Sequence, residues 1–536
     1  MMSGSDAGVG APARRSGPTL DLAKLILPAD YPSHNAVTHA DRPALIFRDF
    51  CWSFAALDRA ADAMVTILHG YGIMQGDRIA YLGKNNDLFF IILFAAMRAG
   101  IVLVPANWRN TAPETRFLLQ DAAPRLIIAD TEFAPMLRDA DRNALPVLLT
   151  DAAGPDGMRG RIANTPPAPR RTPDPLAQCL QLYTSGTTGT PKGVMSTQYA
   201  FGVQRQMELC CPAFDDWRDD EVLLSPLPNF HVGGMSWVLC GLMRGQTVVI
   251  TADTAPSALL DLCLAHGITR TFIVPTLVRA LIEEMQRRGT KVETLRGIHY
   301  GAAAMDPGLL ERGLESLGCR FLQYYGMTEA TGSITLLAPQ DHDLRRPHLL
   351  RSVGQPLPGV TLEIRNAEGG RLEIGQPGEI WVQAPTLLIG YWNRPDAFAE
   401  VMHDGWYRTG DGGMLDENGY LFLTDRIKDM IVTGGENVYP AEVEAALRNH
   451  PAVQDCAVFG LPHVKWGEAV SASVELRPDH PATAAELIAH ARTCLAAYKI
   501  PRHIEFTQAL PRTASGKIQR GLVRMALLKA QENAEP

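Results

Sequence analysis

At 536 residues the chain is longer than one hydrophobic core serves, so two or more domains are expected. Its composition, 46% hydrophobic and 20% charged, is that of an ordinary globular protein and excludes a disordered or fibrous one. A formal net charge of −8 disfavours a nucleic-acid-binding surface, so a site for polyanions must gather its lysines and arginines locally.

Residues 1–20 are rich in Gly, Ala and Ser, carry Arg14 and Arg15, and lack the apolar stretch of a secretory signal. They read as a disordered tail. Residues 44–47 read as a strand, and 54–71 have helical apolar spacing that stops at Gly72. A strand at 77–82, a buried helix at 88–98 ended by Gly100 and a strand at 101–105 follow. This alternation predicts a parallel sheet with helices on its faces. The longest apolar run, 88–97, is too short to span a bilayer.

Residues 150–175, rich in Pro, Gly, Arg and Asp, read as a surface connection. Strands are expected at 180–182, 222–225, 247–250, 270–274, 297–300 and 319–323. From about residue 352, short alternating strands at 360–365, 379–382 and 420–423 predict a β-rich subdomain. The last unit has helices at 441–449 and 484–496 and strands at 453–460 and 469–476, a small α+β lid. The fold expected is α/β: a large N-terminal domain of α/β layers with a β-rich subdomain (21–425), plus a small mobile α+β C-terminal domain (426–536) with a hinge near Lys428. Nine cysteines without C-x-x-C or zinc spacing fit a reduced, cytoplasmic chain.

The most informative stretch is Tyr183-Thr184-Ser185-Gly186-Thr187-Thr188-Gly189-Thr190-Pro191-Lys192-Gly193. Its glycines let the backbone turn and approach a bound group, and successive N–H groups in such a turn make a nest for anions. Hydroxyls and Lys192 add donors. It is not a Walker A loop, which needs four residues between its glycines and then Gly-Lys-Ser/Thr. Four more stretches stand out: Tyr324-Tyr325-Gly326-Met327-Thr328-Glu329; Tyr407-Arg408-Thr409-Gly410-Asp411; Asp425-Arg426-Ile427-Lys428 with Gly434-Gly435-Glu436-Asn437; and Pro511-Arg512-Thr513-Ala514-Ser515-Gly516-Lys517.

These five stretches, in this order, resemble the AMP-forming acyl-CoA synthetase superfamily, which also holds luciferases and the adenylation domains of peptide synthetases. The resemblance runs from about residue 40 to 520. It implies an ATP-dependent carboxylic acid:CoA ligase that makes an acyl-adenylate and then a thioester, with ATP, Mg²⁺ and CoA bound. By that resemblance Thr184, Ser185, Gly186, Thr187, Thr188, Gly189 and Lys192 grip pyrophosphate. Ala302, Ala303, Tyr324, Tyr325, Gly326 and Met327 lie by the adenine, and Thr328 contacts the α-phosphate. Glu329 holds Mg²⁺, since a carboxylate beside a triphosphate needs a cation between them. Asp411 and Arg426 take the ribose, Lys428 falls at the hinge, Gly434 and Gly435 lie along pantetheine, and Lys517 neutralises charge during adenylation.

His231, in Asn229-Phe230-His231-Val232-Gly233-Gly234, is expected to line the acyl pocket and gate the thiol. Met235, Trp237, Gly301 and Ala302 are expected to wall it. An apolar wall implies a medium-chain, alicyclic or aromatic acid. An amino-acid-adenylating module would place an Asp soon after residues 228–234, and none stands there. A luciferase-like oxygenase shares every nucleotide motif. The partners expected are a small carboxylic acid, ATP and CoA, with no nucleic acid and no transmembrane segment; a homodimer is compatible with this reading.

Overall fold

The structure is a computed structural model. It describes residues 20, 22–140, 145–151, 154, 157–184, 191–301, 305, 307–426, 429, 431–433, 436–463, 466–478, 480–512 and 517–532. The expected tail, Leu20 apart, therefore lies outside the described residues, as do Ser185, Gly186, Thr187, Thr188, Gly189, Ala302, Ala303, Lys428, Gly434 and Gly435.

The helix Phe54–Gly70 forms because its apolar residues recur at helical spacing, burying Phe54, Leu57, Ala61, Met64 and Leu68 on one face. Ser53 caps its start by accepting the Ala56 N–H. The helix Asp87–Ala99 is apolar all round from Leu88 to Met97 and correspondingly buried. Asn86 caps its start, and Gly100, at φ 65°, ends it in the left-handed region.

Two large sheets build the N-terminal part. The seven-stranded sheet runs, in space, Gly390–Tyr391, Lys192–Thr197, Gln178–Thr184, Val102–Pro105, Arg78–Leu82, Leu126–Ala129, Val147–Leu149. The nine-stranded sheet runs Gln355–Pro356, Gly332–Leu337, Arg320–Met327, Gly297–Gly301, Arg270–Phe272, Val222–Ser225, Thr247–Ile250, Pro43–Phe47, Phe50–Ser53. Their centres are parallel as expected, but the sheets are mixed. Lys192–Thr197 runs antiparallel to both neighbours. The nine-stranded sheet is antiparallel at both ends. Where the connection is short, as from Pro43–Phe47 to Phe50–Ser53 and from Arg320–Met327 to Gly332–Leu337, the strands pair antiparallel, whereas a helix crossover returns the chain parallel.

The β-rich subdomain is a five-stranded antiparallel sheet of Thr361–Arg365, Gly378–Gln383, Trp406–Leu415, Met402–His403 and Leu421–Arg426. The small C-terminal unit has its own sheet, in which His503–Thr507 lies parallel to Gly467–Leu476. It also has its own core around Val443, Val458, Val474 and Leu487. Two expected elements are shorter. The strand from Arg270 stops at Phe272, ahead of a helix that begins with Pro275, and the helix from Ala484 ends at Arg492.

All nine cysteines are free; Cys51, on Phe50–Ser53, and Cys494, in the small unit, are exposed. Among the described residues no helix is long and apolar enough to cross a membrane.

Candidate active site

The anion-type loop connects two paired strands. Gln178–Thr184 leads into it and Lys192–Thr197 leads out, with Thr184 opposite Lys192 in the register. The Thr184 hydroxyl donates to Glu329 Oε1 at 3.3 Å. The Tyr391 hydroxyl donates to the same oxygen at 3.3 Å and lies 3.0 Å from the Tyr407 hydroxyl. Burial first, and the Glu329 charge second, push the Tyr391 hydroxyl well above its ordinary pKa, so it stays a donor. Lys192 sets its ammonium 5.2 Å from the centre of the Tyr391 ring, within cation–π range. Main-chain bonds fix this arrangement: Leu388 N–H to Glu329 O at 2.8 Å, and Trp392 N–H to Gly193 O at 2.8 Å.

Glu329 itself stands in a one-turn 3₁₀ segment, Thr328–Ala330, just past the strand Arg320–Met327. That placement is the carboxyl end of an α/β sheet, where such folds bind ligands. The approach is tight: a Cβ on Gly326 would lie 2.0 Å from Gly332 O, and the register slips between Tyr325 and Gly326. Thr331, fully buried at φ 57°, turns the chain back. A β-branched residue there is strained, and such strain gathers at ligand sites.

Tyr325 and Tyr324 point to opposite faces of their strand. The Tyr325 hydroxyl donates to Asp411 Oδ2 at 2.7 Å, joining the second and third motifs. Asp411 is set by its N–H bond to Thr409 Oγ1 at 3.0 Å, and Thr409 is tied to Ile380 O at 2.8 Å. Arg426 is Asp411's register partner across Trp406–Leu415 and Leu421–Arg426. Tyr324 instead turns inward, its hydroxyl 2.8 Å from His299 Nδ1. Met327 packs between two hydrophobic clusters.

His231 precedes the helix Val232–Met243 at its N-cap position without a side-chain cap bond, and its ring lies 4.5 Å from that of Phe230. Its Nε2 is buried and has no hydrogen-bond partner among the described residues. Burial, helped by the Arg109 charge, lowers its pKa to about 4, so the ring is neutral at physiological pH. The helix starts against the preceding turn: a Cβ on Gly234 would be 2.4 Å from Pro228 O. Met235 and Trp237 are buried in the large core cluster, and the Trp237 indole donates to Leu224 O at 2.9 Å. Gly301 is the buried last residue of Gly297–Gly301. Lys517 is exposed, next to the bridge between Arg512 and Ile518.

Thus Thr184, Lys192 and Glu329 come together, as do Tyr325, Asp411 and the main chain of Arg426. Sequence reasoning missed Tyr391 and Thr331, and gave Tyr407 no role of its own. The short Gly390–Tyr391 strand has little periodicity, and its contact with Glu329 spans 62 residues. One half-buried carboxylate with a hydroxyl beside it is a hard oxygen donor set that suits Mg²⁺ sharing its shell with phosphates. No group of three or more His, Cys, Asp or Glu among the described residues could hold a metal unaided.

Large α/β layers with a small α+β C-terminal unit form the fold of the adenylate-forming enzymes. The chain belongs to the AMP-binding enzyme family, whose profile matches residues 33–392 and whose C-terminal-domain profile matches 442–517, and it is an AMP-forming acid–thiol ligase. It is 37% identical over 496 residues to the fatty acid–[acyl-carrier-protein] ligase ScoC of Streptomyces coeruleorubidus, covering 92% of this chain and 95% of that one. It is 36% identical over 479 residues to a feruloyl-CoA synthase of an Amycolatopsis species, covering 88% and 93%. The o-succinylbenzoate CoA synthetase (MenE) of Bacillus subtilis, solved with the acyl-adenylate OSB-AMP, superposes with a TM-score of 0.82 at 30% identity, over 92% of this chain and 98% of that one.

Proposed function

We propose that this chain converts an apolar carboxylic acid, ATP and CoA into an acyl-CoA thioester, AMP and pyrophosphate. The observation that carries the reading is the meeting of Thr184 and Glu329 beside the Tyr325–Asp411 pair, four residues from three separate motifs.

In the first half-reaction the acid's carboxylate attacks the α-phosphorus of ATP in line, and pyrophosphate leaves. Charge builds on phosphate oxygens, so the protein's work is positioning and electrostatic stabilisation. Thr184, Lys192 and the loop between them hold the departing pyrophosphate. Thr328 donates to the α-phosphate, Lys517 neutralises the reacting oxygens, and Asp411 accepts both ribose hydroxyls. Mg²⁺, held by Glu329, would offset phosphate charge. In the second half the CoA thiol attacks the acyl carbon, a mixed anhydride with AMP as leaving group. Neutral His231 borders the thiol's path, and Gly434 and Gly435 lie against the pantetheine. Nine free cysteines fit work in a reducing compartment such as the cytoplasm.

A screen of carboxylic acids with ATP and Mg²⁺, with and without CoA, tests the reading by AMP and pyrophosphate release. CoA-dependent turnover of at least one apolar acid is expected. Release that needs an α-amino acid, or that ignores CoA, would overturn it.

A further inference from the structure

Resting on the ligase reading above, we infer that this chain's acid is a compact aromatic one, and that an aromatic floor beneath Gly301 and Gly233 excludes long-chain fatty acids. The strands Arg270–Phe272, Gly297–Gly301 and Arg320–Met327 are neighbours, with Phe272 opposite His299 and Gly301 opposite Tyr324. His299 and Gly301, two residues apart, therefore share one face of the sheet. Gly301 stands nearest the strand's carboxyl end, the end that carries Thr328 and Glu329 on the next strand. There it leaves a gap in the row of side chains.

The gap is roofed by the helix Val232–Met243. A Cβ on Gly233 would lie 3.4 Å from the Phe272 ring, and one on Gly301 would lie 2.8 Å from the Tyr324 main-chain oxygen and 3.5 Å from the Phe272 ring. One turn further along the same helix face stands Trp237. Below the two glycines the space is filled. The Phe272 and Tyr324 rings lie 5.4 Å apart, Trp237 is 6.0 Å from Phe272 and 4.7 Å from His299, and His299 is bonded to Tyr324. The Trp237 indole cannot swing aside without losing its bond to Leu224 O.

What lies past that floor is equally hostile to an alkyl chain. Trp217 packs on Trp237 at 5.8 Å, and Arg244 lies over Trp217 at 4.7 Å. Arg205 holds Glu208 at 2.7 Å and donates to Ser236 O, next to Trp237. In this region the Trp217 indole N–H is buried with no hydrogen-bond partner among the described residues, and Gln204 and Arg244 serve Glu208 and Cys240. A methylene chain pushed in here would cover groups that need water or polar partners. A flat ring seated on Phe272 and Tyr324 meets only aromatic surface, where offset and edge-to-face contacts are favourable.

The test is an acid series on the full chain with ATP, Mg²⁺ and CoA, read as AMP release. One arm holds single-ring aromatic acids, benzoate and phenylpropenoate types. The other holds saturated acids of eight to sixteen carbons. The aromatic arm should exceed the twelve- to sixteen-carbon acids at least tenfold in kcat/KM. Phe272→Ala, which opens the floor where the side chain is only partly buried, should shift that ratio at least fivefold toward the longer acids. Gly233→Ala, which places one methyl in the roof without a backbone clash, should raise KM for the aromatic acid several-fold and leave KM for ATP unchanged. A preference for twelve- to sixteen-carbon acids, or a chain-length profile indifferent to Phe272→Ala, would sink the inference while leaving the ligase reading intact. Absence of AMP release with every acid in both arms would instead remove the ligase reading, and this inference with it.

Discussion

The Asp411 carboxylate is positioned by its own protein before a nucleotide arrives, through the 2.7 Å bond from Tyr325. If Asp411 also takes the ribose hydroxyls, Asp411→Ala removes charge-assisted bonds of about 1.5–3 kcal/mol. Nucleotide affinity should fall by about ten- to a hundredfold in a titration. Tyr325→Phe should cost less, about 0.5–1.5 kcal/mol, because only the positioning bond is lost. Equal affinities in all three proteins would remove Asp411 from the nucleotide site. The histidines make a second prediction at this scale. His231 and His342 both sit at a pKa of about 4 in the fold, lowered chiefly by burial from an ordinary 6.5. Between those values the unfolded chain binds protons that the folded chain does not, so stability rises with pH there. Stability is therefore full above pH 6.5 and falls as the pH drops from 6.5 toward 4. The urea midpoint should be lower at pH 5 than at pH 7.5; an unchanged or higher midpoint would contradict the burial assigned to these rings.

The hairpin that carries Glu329 depends on one missing methyl. Gly326→Ala places a Cβ against Gly332 O, an atom of the backbone that cannot swing away. Overpacking of this kind costs about 1–3 kcal/mol, so the melting temperature and ATP affinity should drop together. Gly70→Ala, whose added Cβ would meet nothing within 4 Å, is the control and should lower neither. Elements with local causes were legible in the sequence. Phe54–Gly70 shows its buried face by spacing, and Asp87–Ala99 shows its burial by the uninterrupted apolar run from Leu88 to Met97. Strand direction was not legible. Lys192–Thr197, a half-polar segment for which no strand was expected, pairs antiparallel with both its neighbours. The site divides the same way. Thr184, Glu329 and Asp411 lie in stretches rich in Gly and hydroxyls, which is a local signal. Tyr391 and Tyr407 reach Glu329 through contacts made only after three sheets have assembled, and nothing in their own neighbourhoods announces it.

At the scale of the whole molecule, the exposed position of Lys517 bears on how one chain runs two reactions. We propose that the C-terminal unit works in two orientations, pivoting near Lys428: one brings Lys517 to the α-phosphate, the other opens the acyl carbon to the thiol. Hinges at element ends absorb such backbone rotation. Lys517→Ala should cripple acyl-adenylate formation yet still convert supplied acyl-adenylate and CoA to thioester. Lys428→Pro should do the reverse, because proline fixes φ. Single-turnover assays of each half-reaction decide, and equal loss of both halves in both variants would count against two orientations.

The cysteines turn that motion into something that can be watched. Of nine thiols, the two exposed ones stand apart: Cys51 on the edge strand of the nine-stranded sheet, Cys494 past the helix Ala484–Arg492 in the small unit. The protein thus comes with a natural attachment point on each side of the proposed pivot. A donor and an acceptor dye placed on this pair by thiol chemistry would make a distance gauge without any engineered residue. With ATP and acid alone the gauge should settle at one value, and on adding a non-reactive CoA analogue it should jump to another. A single distance through the whole cycle would mean that the small unit stays still.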